Sequence, residues 1–239
     1  QPQVDIATGR ILGAEALVRW NDPQEGLISP ARFIPVAETS GVIGPLGEWV
    51  LREVCRQGQE WRDAGLPELM LAVNVSPRQF HLTDLAGCAS AALADSGFPA
   101  RLLELEITET ALAERTEEAR QVLVRLRELG LRIAVDDFGT GYSSLAQLKR
   151  FPIDVLKIDQ GFIRDIPQSE DDMAISAAII AMGHSMGLSV LAEGVETEGQ
   201  LAFLRERGCD TYQGYLCSRP LPADGFAALL RAQPPQPPQ

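Results

Sequence analysis

Residues 131–141 read Leu-Arg-Ile-Ala-Val-Asp-Asp-Phe-Gly-Thr-Gly, and this stretch decides how the rest of the chain is interpreted. The apolar run up to Val135 predicts a buried strand, and two adjacent carboxylates, Asp136 and Asp137, end it. Adjacent acids at a strand end repel each other and are costly to desolvate, so a cation usually compensates them. A hard divalent metal ion is the simplest candidate, and a solvated Asp-Asp turn is the alternative. The sequence on either side decides between these two.

Short apolar runs alternate along the chain with amphipathic stretches of helical length. Several of these stretches end at a glycine, as helix C-caps commonly do, and the pattern therefore predicts alternating strands and helices. The predicted strands lie in the runs 11–20, 69–75, 102–108, 131–136, 155–158, 188–191 and 211–216. The predicted helices cover residues 46–64, 82–96, 114–129, 173–186 and 198–207.

This alternation, without hairpin turn signals between the runs, predicts parallel strands joined by crossover helices. Seven or eight such units within 239 residues predict an α/β fold, a (β/α)8 TIM-like barrel. A doubly wound open sheet is the alternative, but no G-x-G-x-x-G turn supports it.

Polar side chains lie at the ends of the predicted strands. In a (β/α)8 barrel the carboxyl ends of the strands form one rim, and this rim carries the chemistry. Isolated acids on helices are usually solvated, whereas acids that end successive apolar strands converge on the rim. The sequence therefore predicts a site built from Glu15, Asn74, Glu106, Glu109, Asp136, Asp137, Lys157, Asp159, Glu193, Glu196 and Gln213.

The overall composition restricts the partners of such a site. The formal net charge of −12 speaks against binding long nucleic acid through a basic face, but it is compatible with a small phosphorylated ligand held by metal ions. The four cysteines show no metal-binding spacing, which favours reduced thiols in a cytoplasmic compartment. No apolar run approaches the ~18 residues of a membrane span, so we expect no membrane contact by this domain.

The two ends of the chain set the expected domain limits. We expect one domain over residues 1–231, followed by a Pro/Gln-rich tail, 232–239, that cannot pack a core and is predicted to be disordered. The chain begins at Gln1, without Met and already in strand-like sequence. This beginning predicts a domain cut from a longer protein, with its first strand truncated.

Seven short motifs occur in a fixed order along the chain. They are Glu15-Ala-Leu-Val-Arg-Trp, Asn74-Val-Ser, Glu106-Ile-Thr-Glu, the 136–145 loop, Lys157-Ile-Asp, Ala192-Glu-Gly-Val-Glu-Thr and Gln213-Gly-Tyr. From Gln1 to about residue 230, this series closely resembles the EAL-domain family of cyclic di-GMP phosphodiesterases. The resemblance implies a (β/α)8-like barrel whose first strand runs antiparallel to the others.

The resemblance also implies a site with two divalent metal ions. One ion is expected on Glu15, Asn74, Glu106 and Asp136, and the second is expected to share Asp136 and to add Asp137. Three carboxylates and one amide oxygen form a hard-oxygen ligand set that suits Mg²⁺ or Mn²⁺. Two such ions can activate water and stabilise an in-line displacement at phosphorus.

The remaining motif residues receive roles from the same resemblance. Glu193 is expected to accept a proton or position water, Lys157 to neutralise charge on the phosphoryl group, and Gln213 to support the water or ligand shell. Substrate contacts are expected from Gln1, Leu17, Arg19 and Asp159, with the Arg19 guanidinium on a phosphate. Glu109 and Glu196 are expected to anchor the loop after Asp137.

The expected reaction is hydrolysis of one phosphodiester bond of cyclic di-GMP to give linear pGpG. The alternative is a catalytically silent receptor or interaction module for cyclic di-GMP, and a more distant one is a Mg²⁺-dependent barrel lyase. The intact acidic set favours the enzyme, because receptor-type relatives usually lose part of it. The resemblance further implies a homodimer that controls the loop after Asp137, and upstream sensor or GGDEF domains in the parent protein.

Overall fold

Eight strands close into a barrel in the computed structural model, which describes residues 1–114, 116–139 and 148–233. Around the barrel the strand order is β1, β10, β9, β8, β7, β6, β5, β2, while β3 and β4 form a separate hairpin. The strands are β1 Pro2–Asp5, β2 Ile11–Ala16, β3 Trp20–Asp22, β4 Gly26–Ile28, β5 Met70–Val75, β6 Leu103–Thr108, β7 Arg132–Phe138, β8 Val155–Ile158, β9 Ser189–Ala192 and β10 Thr211–Gln213.

The first strand runs opposite to the other barrel strands. β1 pairs antiparallel with β2, where Gln3 lies opposite Gly13, and antiparallel with β10, where Val4 lies opposite Tyr212. All other neighbours in the barrel pair in parallel. The predicted barrel and the predicted direction of its first strand are both confirmed.

Two hairpins, β1–β2 and β3–β4, lie where the sequence shows no hairpin turn signal. β1 and β2 are joined by a tight turn in which the Asp5 carboxylate accepts a hydrogen bond from Thr8 N at 2.6 Å. In the β3–β4 hairpin the Asp22 carboxylate accepts from Gln24 N at 2.8 Å and from Glu25 N at 3.0 Å. Both turns close through an Asp side chain instead of an Asn-Gly pair, so the commonest hairpin signal was absent.

Helices cover the outside of the barrel, and their order follows the predicted alternation. The predicted helix 82–96 begins three residues later, at Leu85, because the backbone is extended at Thr83; a separate short helix, Pro77–Leu82, precedes it. The α-helices are α1 Pro30–Ser40, α2 Ile43–Asp63, α3 Pro77–Leu82, α4 Leu85–Ser96, α5 Glu109–Ala113, α6 Thr116–Glu128, α7 Glu170–Ser185, α8 Glu198–Glu206 and α9 Ala223–Ala232. Short 3-10 helices lie at Ala100–Leu102 and Gln160–Phe162. Most of the predicted tail, residues 234–239, lies outside the described residues.

Strand side chains alternate between the two faces of the barrel wall. Outward-facing residues join the large core under the helices, whereas Ala134, Val155 and Leu191 form a small separate buried cluster. The cluster fills part of the barrel interior. Asp136, Lys157 and Glu193 each come two residues after a member of this cluster. Asp136 and Lys157 lie in β7 and β8, and Glu193 is the first residue after β9. Because side chains two residues apart point to the same face, these three charged side chains face the barrel interior at the carboxyl ends of the strands.

No helix in the described ranges is both long and apolar enough to cross a membrane.

Candidate active site

A buried lysine lies at the centre of the rim. The Lys157 side chain is 1 % exposed, and its Nζ lies 2.7 Å from Glu106 Oε2, 3.1 Å from Asp136 Oδ1 and 2.7 Å from Glu193 Oε1. These acids come from three different strands or strand ends, β6, β7 and the residue after β9. The structure thus brings four of the predicted site residues into direct ionic contact.

A bulge in β7 directs both adjacent aspartates toward this centre. Val135 pairs with Leu156 and Phe138 pairs with Ile158, so two residues of β7 lie opposite the single residue Lys157. Asp137 has a φ of 54°, in the left-handed region that only a few non-glycine residues adopt. In a regular strand Asp136 and Asp137 would point to opposite faces. The bulge explains how two consecutive carboxylates share one site.

Glu15 approaches the same centre from β2, and two amides hold it. Asn74 Nδ2 donates to Glu15 Oε1 and Gln213 Nε2 donates to Glu15 Oε2. Gln213 Nε2 also donates to Gln1 Oε1 at 3.1 Å, and Gln1 Nε2 donates to Ser218 O at 3.1 Å. These bonds link β10 to the antiparallel β1–β2 pair, and they fix the orientation of the Glu15 carboxylate.

The acids around Lys157 outnumber its single positive charge. Burial raises the pKa of Glu106 well above its usual range, and the charges of Glu15 and Asp136 add to the effect while Lys157 opposes it. Burial alone would lower the pKa of Lys157, but the charges of Glu106, Glu15, Glu193 and Asp136 outweigh it and hold that pKa well above the usual value. Lys157 is therefore charged, and the acids around it exceed what one ammonium can compensate.

Two further acids hold protons up to near-neutral pH. Burial raises the pKa of Glu193 to about 7, against the attraction of Lys157 and with the repulsion of Asp136 and Glu15. Burial, together with the charges of Asp136 and Asp159, raises the pKa of Asp137 to about 6. Glu15 behaves differently: burial raises its pKa, but Lys157 and the two amide donors outweigh burial and the net pKa is lowered.

The donor set fits a divalent metal ion. Asp136, Asp137 and Glu193 each place one carboxylate oxygen within 4.8 Å of the other two, and they are the one such group among the described residues. Both oxygens of Glu106 and Oδ1 of Asp136 are buried, and within the described part of the chain none of them accepts a hydrogen bond of good geometry. Hard oxygen donors in excess of their counter-charges are the chemistry that Mg²⁺ and Mn²⁺ bind.

This trio differs in one member from the predicted ligand sets. Glu193 was predicted to act on water, yet its carboxylate lies with Asp136 and Asp137. Glu15 lies on the other side of the cluster, where Asn74 and Gln213 occupy its two oxygens. The predicted assignment of Glu15, Asn74, Glu106 and Asp136 to one ion stays a prediction.

The predicted substrate residues surround the mouth of the site. Leu17 and Arg19 line a cleft of about 300 Å³ together with Asn74. The Arg19 side chain is exposed, and its Nη1 donates to Val18 O at 2.9 Å. Asp159 caps the short helix Gln160–Phe162 by accepting from Gly161 N at 2.8 Å. These side chains lie on the same rim as the acids, and their contacts with a substrate stay predictions.

The two predicted anchors of the loop after Asp137 have different surroundings. Glu109 is buried, and its Oε2 accepts a hydrogen bond from Gly139 N at 3.0 Å. Glu196 is exposed, four residues after the end of β9. Residues 140–147, which form most of this loop, lie outside the described residues, so the anchoring roles stay predictions.

Sequence reasoning missed Gln200, a buried residue whose amide contacts both segments that follow β8 and β9. A signal for it was present in the sequence. Thr197 and Gln200 have the spacing of a capping box, S/T-x-x-E/Q, and both reciprocal hydrogen bonds form at the start of α8. The contacts of Gln200 with the β8 side are long-range and could not be deduced from that spacing.

One known protein family matches most of the chain. The sequence pattern of the EAL domain matches residues 1–220. The chain belongs to the EAL-domain family. This EAL domain is 49% identical over 232 residues to the cyclic di-GMP phosphodiesterase NbdA of Pseudomonas aeruginosa, covering 97% of this chain and 30% of the relative. Over 230 residues it is 45% identical to the bifunctional diguanylate cyclase/cyclic di-GMP phosphodiesterase MucR of the same organism, covering 96% of this chain and 34% of the relative.

Solved structures agree with this assignment. The EAL domain superimposes on the PaMucR phosphodiesterase in complex with c-di-GMP with a TM-score of 0.92 at 45% identity, covering 95% of this chain and 92% of that chain. The chain spans about a third of the length of the curated relatives NbdA and MucR, 30% and 34%.

Proposed function

We propose that this EAL domain hydrolyses one phosphodiester bond of cyclic di-GMP and releases linear pGpG. The observation that carries the proposal is the complete set of rim acids around the buried Lys157. The similarity to the PaMucR phosphodiesterase, solved with c-di-GMP, supports the choice of substrate. A receptor module would need neither the surplus of buried carboxylates nor their desolvation.

Two divalent cations, Mg²⁺ or Mn²⁺, match the charge of this site. Glu15, Glu106, Asp136, Asp137 and Glu193 with the one ammonium of Lys157 carry a formal charge of −4, which two divalent ions would neutralise. We propose that Glu15, Asn74, Glu106 and Asp136 hold one ion and that Asp136 and Asp137 hold the other, with Glu193 beside it. When bound, the ions would polarise the phosphoryl oxygens and make a water molecule more acidic.

The residues of the chain supply the remaining steps. Glu193, whose carboxylate lies 2.7 Å from the Lys157 ammonium and would be kept ionised by bound cations, accepts the proton of the attacking water. Lys157 keeps its proton because four acids surround it, so its ammonium offsets the negative charge that develops on the phosphoryl oxygens. Gln213 holds Glu15 in place and carries its second bond to Gln1.

Substrate recognition falls to the side chains at the mouth of the site. Arg19 is exposed and can turn its guanidinium from Val18 O to a phosphate, where two parallel N–H···O bonds form. Leu17 offers apolar contact beside it, Gln1 lines a cleft with Leu17 and Arg19, and Asp159 offers a polar group after β8. None of these contacts involves a basic surface, in keeping with the net charge of −12 and with a small substrate instead of long nucleic acid.

We propose further that the domain acts in the cytoplasm as a homodimer, attached to upstream sensor or GGDEF domains in the parent protein. The four cysteines are free thiols, which suits a reducing compartment. The relative MucR is a bifunctional diguanylate cyclase/cyclic di-GMP phosphodiesterase, which supports a cyclase-type partner domain.

Product analysis tests this function. Purified protein is incubated with cyclic di-GMP and Mg²⁺ or Mn²⁺, or with EDTA, and products are separated by chromatography. We expect metal-dependent formation of pGpG that Glu15→Ala reduces at least ~100-fold, since the variant lacks one carboxylate of the cluster. Glu60→Ala is the matched control, because Glu60 is a solvated acid on α2. Binding of cyclic di-GMP without turnover under every metal condition would instead identify a receptor.

A further inference from the structure

Gln200 has a buried side-chain amide whose oxygen and nitrogen both form hydrogen bonds with the main chain. The residue lies in the first turn of α8 and is 4 % exposed. Its Oε1 accepts hydrogen bonds from Glu196 N at 2.7 Å and from Thr197 N at 2.9 Å. Its Nε2 donates to Ile163 O at 3.0 Å and to Arg164 O at 3.1 Å. All four bonds go to backbone groups, so this side chain cross-links two segments of the chain.

The two segments follow the strands that carry Lys157 and Glu193. Ile163 and Arg164 come directly after the short helix that follows β8. Glu196 and Thr197 follow Glu193 by three and four residues, in the segment after β9. The charged atoms of Lys157 and Glu193 are 2.7 Å apart. The cross-link therefore joins two segments, each of which begins at one member of the Lys157–Glu193 pair.

The other side of the Glu193 loop is held by β10. Val195 N donates to Gln213 O at 3.1 Å and Val195 O accepts from Leu216 N at 3.0 Å. Gly214 makes this approach possible, because a Cβ at that position would lie 2.0 Å from Val195 O. Glu193 N donates to Ile158 O at 3.1 Å. β10 fixes one side of the loop, and the four hydrogen bonds of Gln200 tie the other side to the segment after β8.

We propose that Gln200 is a positioning residue that sets the separation of the Lys157 and Glu193 segments and so aims the Glu193 carboxylate at the reacting water. The inference rests on the proposed function, in which Glu193 accepts a proton. A displacement of about 1 Å at a catalytic group can cost ~10²-fold in rate, and four backbone hydrogen bonds resist such a displacement. This role is distinct from capping a helix.

Capping and cross-linking can be separated by substitution. Thr197 Oγ1 accepts a hydrogen bond from Gln200 N at 3.3 Å and completes the capping box. Thr197→Ala removes this hydroxyl and leaves the amide cross-link intact. Gln200→Glu keeps an oxygen for the N–H groups of Glu196 and Thr197, but it loses both donors to Ile163 O and Arg164 O. A carboxylate beside two carbonyl oxygens also pushes the segments apart.

Two measurements on the wild type, Q200E and T197A decide the role of Gln200. The first is kcat and KM for cyclic di-GMP with Mn²⁺. We expect Q200E to lower kcat about 10- to 100-fold with KM within about twofold, because the loop positions Glu193 and does not bind substrate. We expect T197A to keep kcat within about twofold even where its melting temperature falls as far as that of Q200E. Equal losses of kcat in both variants, or wild-type kcat in Q200E, would overturn the proposal.

The second measurement, backbone hydrogen exchange of the domain without substrate, does not depend on activity. We expect the Glu193 and Val195 amides to exchange faster in Q200E and unchanged in T197A. If the wild type does not hydrolyse cyclic di-GMP, the proposed function is wrong. The exchange measurement still tests whether Gln200 holds the Glu193 segment in place, because it requires no turnover. Unchanged exchange at both amides in Q200E would contradict positioning by Gln200. Gln200→Met, which has similar length and no donor, replaces Q200E if the latter does not fold.

Discussion

Two cations of this EAL domain are both surrounded by carboxylates, one on the barrel rim and one on the outer face of α2. Lys157 is 1 % exposed and contacts Glu106, Asp136 and Glu193. Arg56 is 49% exposed and bridges two glutamates on its own helix, including Glu53 at 2.6 Å. Both cations lie within ion-pair distance of their acids, and the main difference between the two clusters is burial.

Burial changes what such a cluster does. On α2 water screens the charges, and exposed pairs of this kind contribute less than ~1 kcal/mol to stability. On the rim, the removal of water raises the pKa of Glu106 and Glu193 and leaves more acid than the ammonium can balance. A buried surplus of charge opposes folding unless something binds it. The rim is therefore a binding site that costs stability, whereas the α2 cluster is solvated surface.

Removal of the buried cation is expected to have the largest effect. Lys157→Met leaves five carboxylates without their ammonium and removes the group that we propose offsets phosphoryl charge. We expect kcat for cyclic di-GMP to fall by ~10²–10³-fold or more. At pH 8 in EDTA we expect the free energy of unfolding in urea to fall by roughly 3–5 kcal/mol, the cost of uncompensated buried charge. Added Mn²⁺ should restore part of this loss, and unchanged stability would show that the acids need no counter-charge.

The pH dependence of the metal-free protein is expected to have an intermediate effect. The pKa of Glu193 is raised from 4.5 to about 7, and that of Asp137 from 3.8 to about 6. Between these values the folded form keeps protons that the unfolded chain has released, so stability falls as pH rises from about 4 to about 7.

We expect this decline to amount to roughly 1–3 kcal/mol in urea unfolding with EDTA. Saturating Mn²⁺ should flatten it, because a bound cation favours the ionised carboxylates, and Glu193→Gln should reduce it without metal. Stability that is constant or rising over the same pH range would refute the charge balance of the rim.

The smallest effect is expected on α2. Arg56→Met removes the exposed cation from between Glu53 and Glu60 and is the matched counterpart of Lys157→Met. We expect a change below ~1 kcal/mol in unfolding and a kcat within about twofold of wild type. A loss comparable to that of Lys157→Met would mean that burial does not separate the two clusters.

The sequence predicted the barrel because its signal is repeated, and it predicted the rim because acids end several apolar strands. Asp136 and Asp137 were expected to share a site, but the bulge that makes this possible depends on the register against β8, which periodicity does not encode. The β1–β2 hairpin was missed because its turn closes through the Asp5 side chain. Gln200 was missed because its partners Ile163 and Arg164 lie more than thirty residues away.

The most direct test of the two-metal site is a calorimetric titration of the metal-free EAL domain with Mn²⁺, in parallel with Asp137→Asn. We expect two ions per wild-type chain, because two divalent charges balance the five carboxylates and Lys157. In Asp137→Asn, which lacks one carboxylate of the trio with Asp136 and Glu193, at most one ion should bind. A wild-type chain that binds fewer than two ions, or a variant that binds as many ions as the wild type, would contradict the two-metal site.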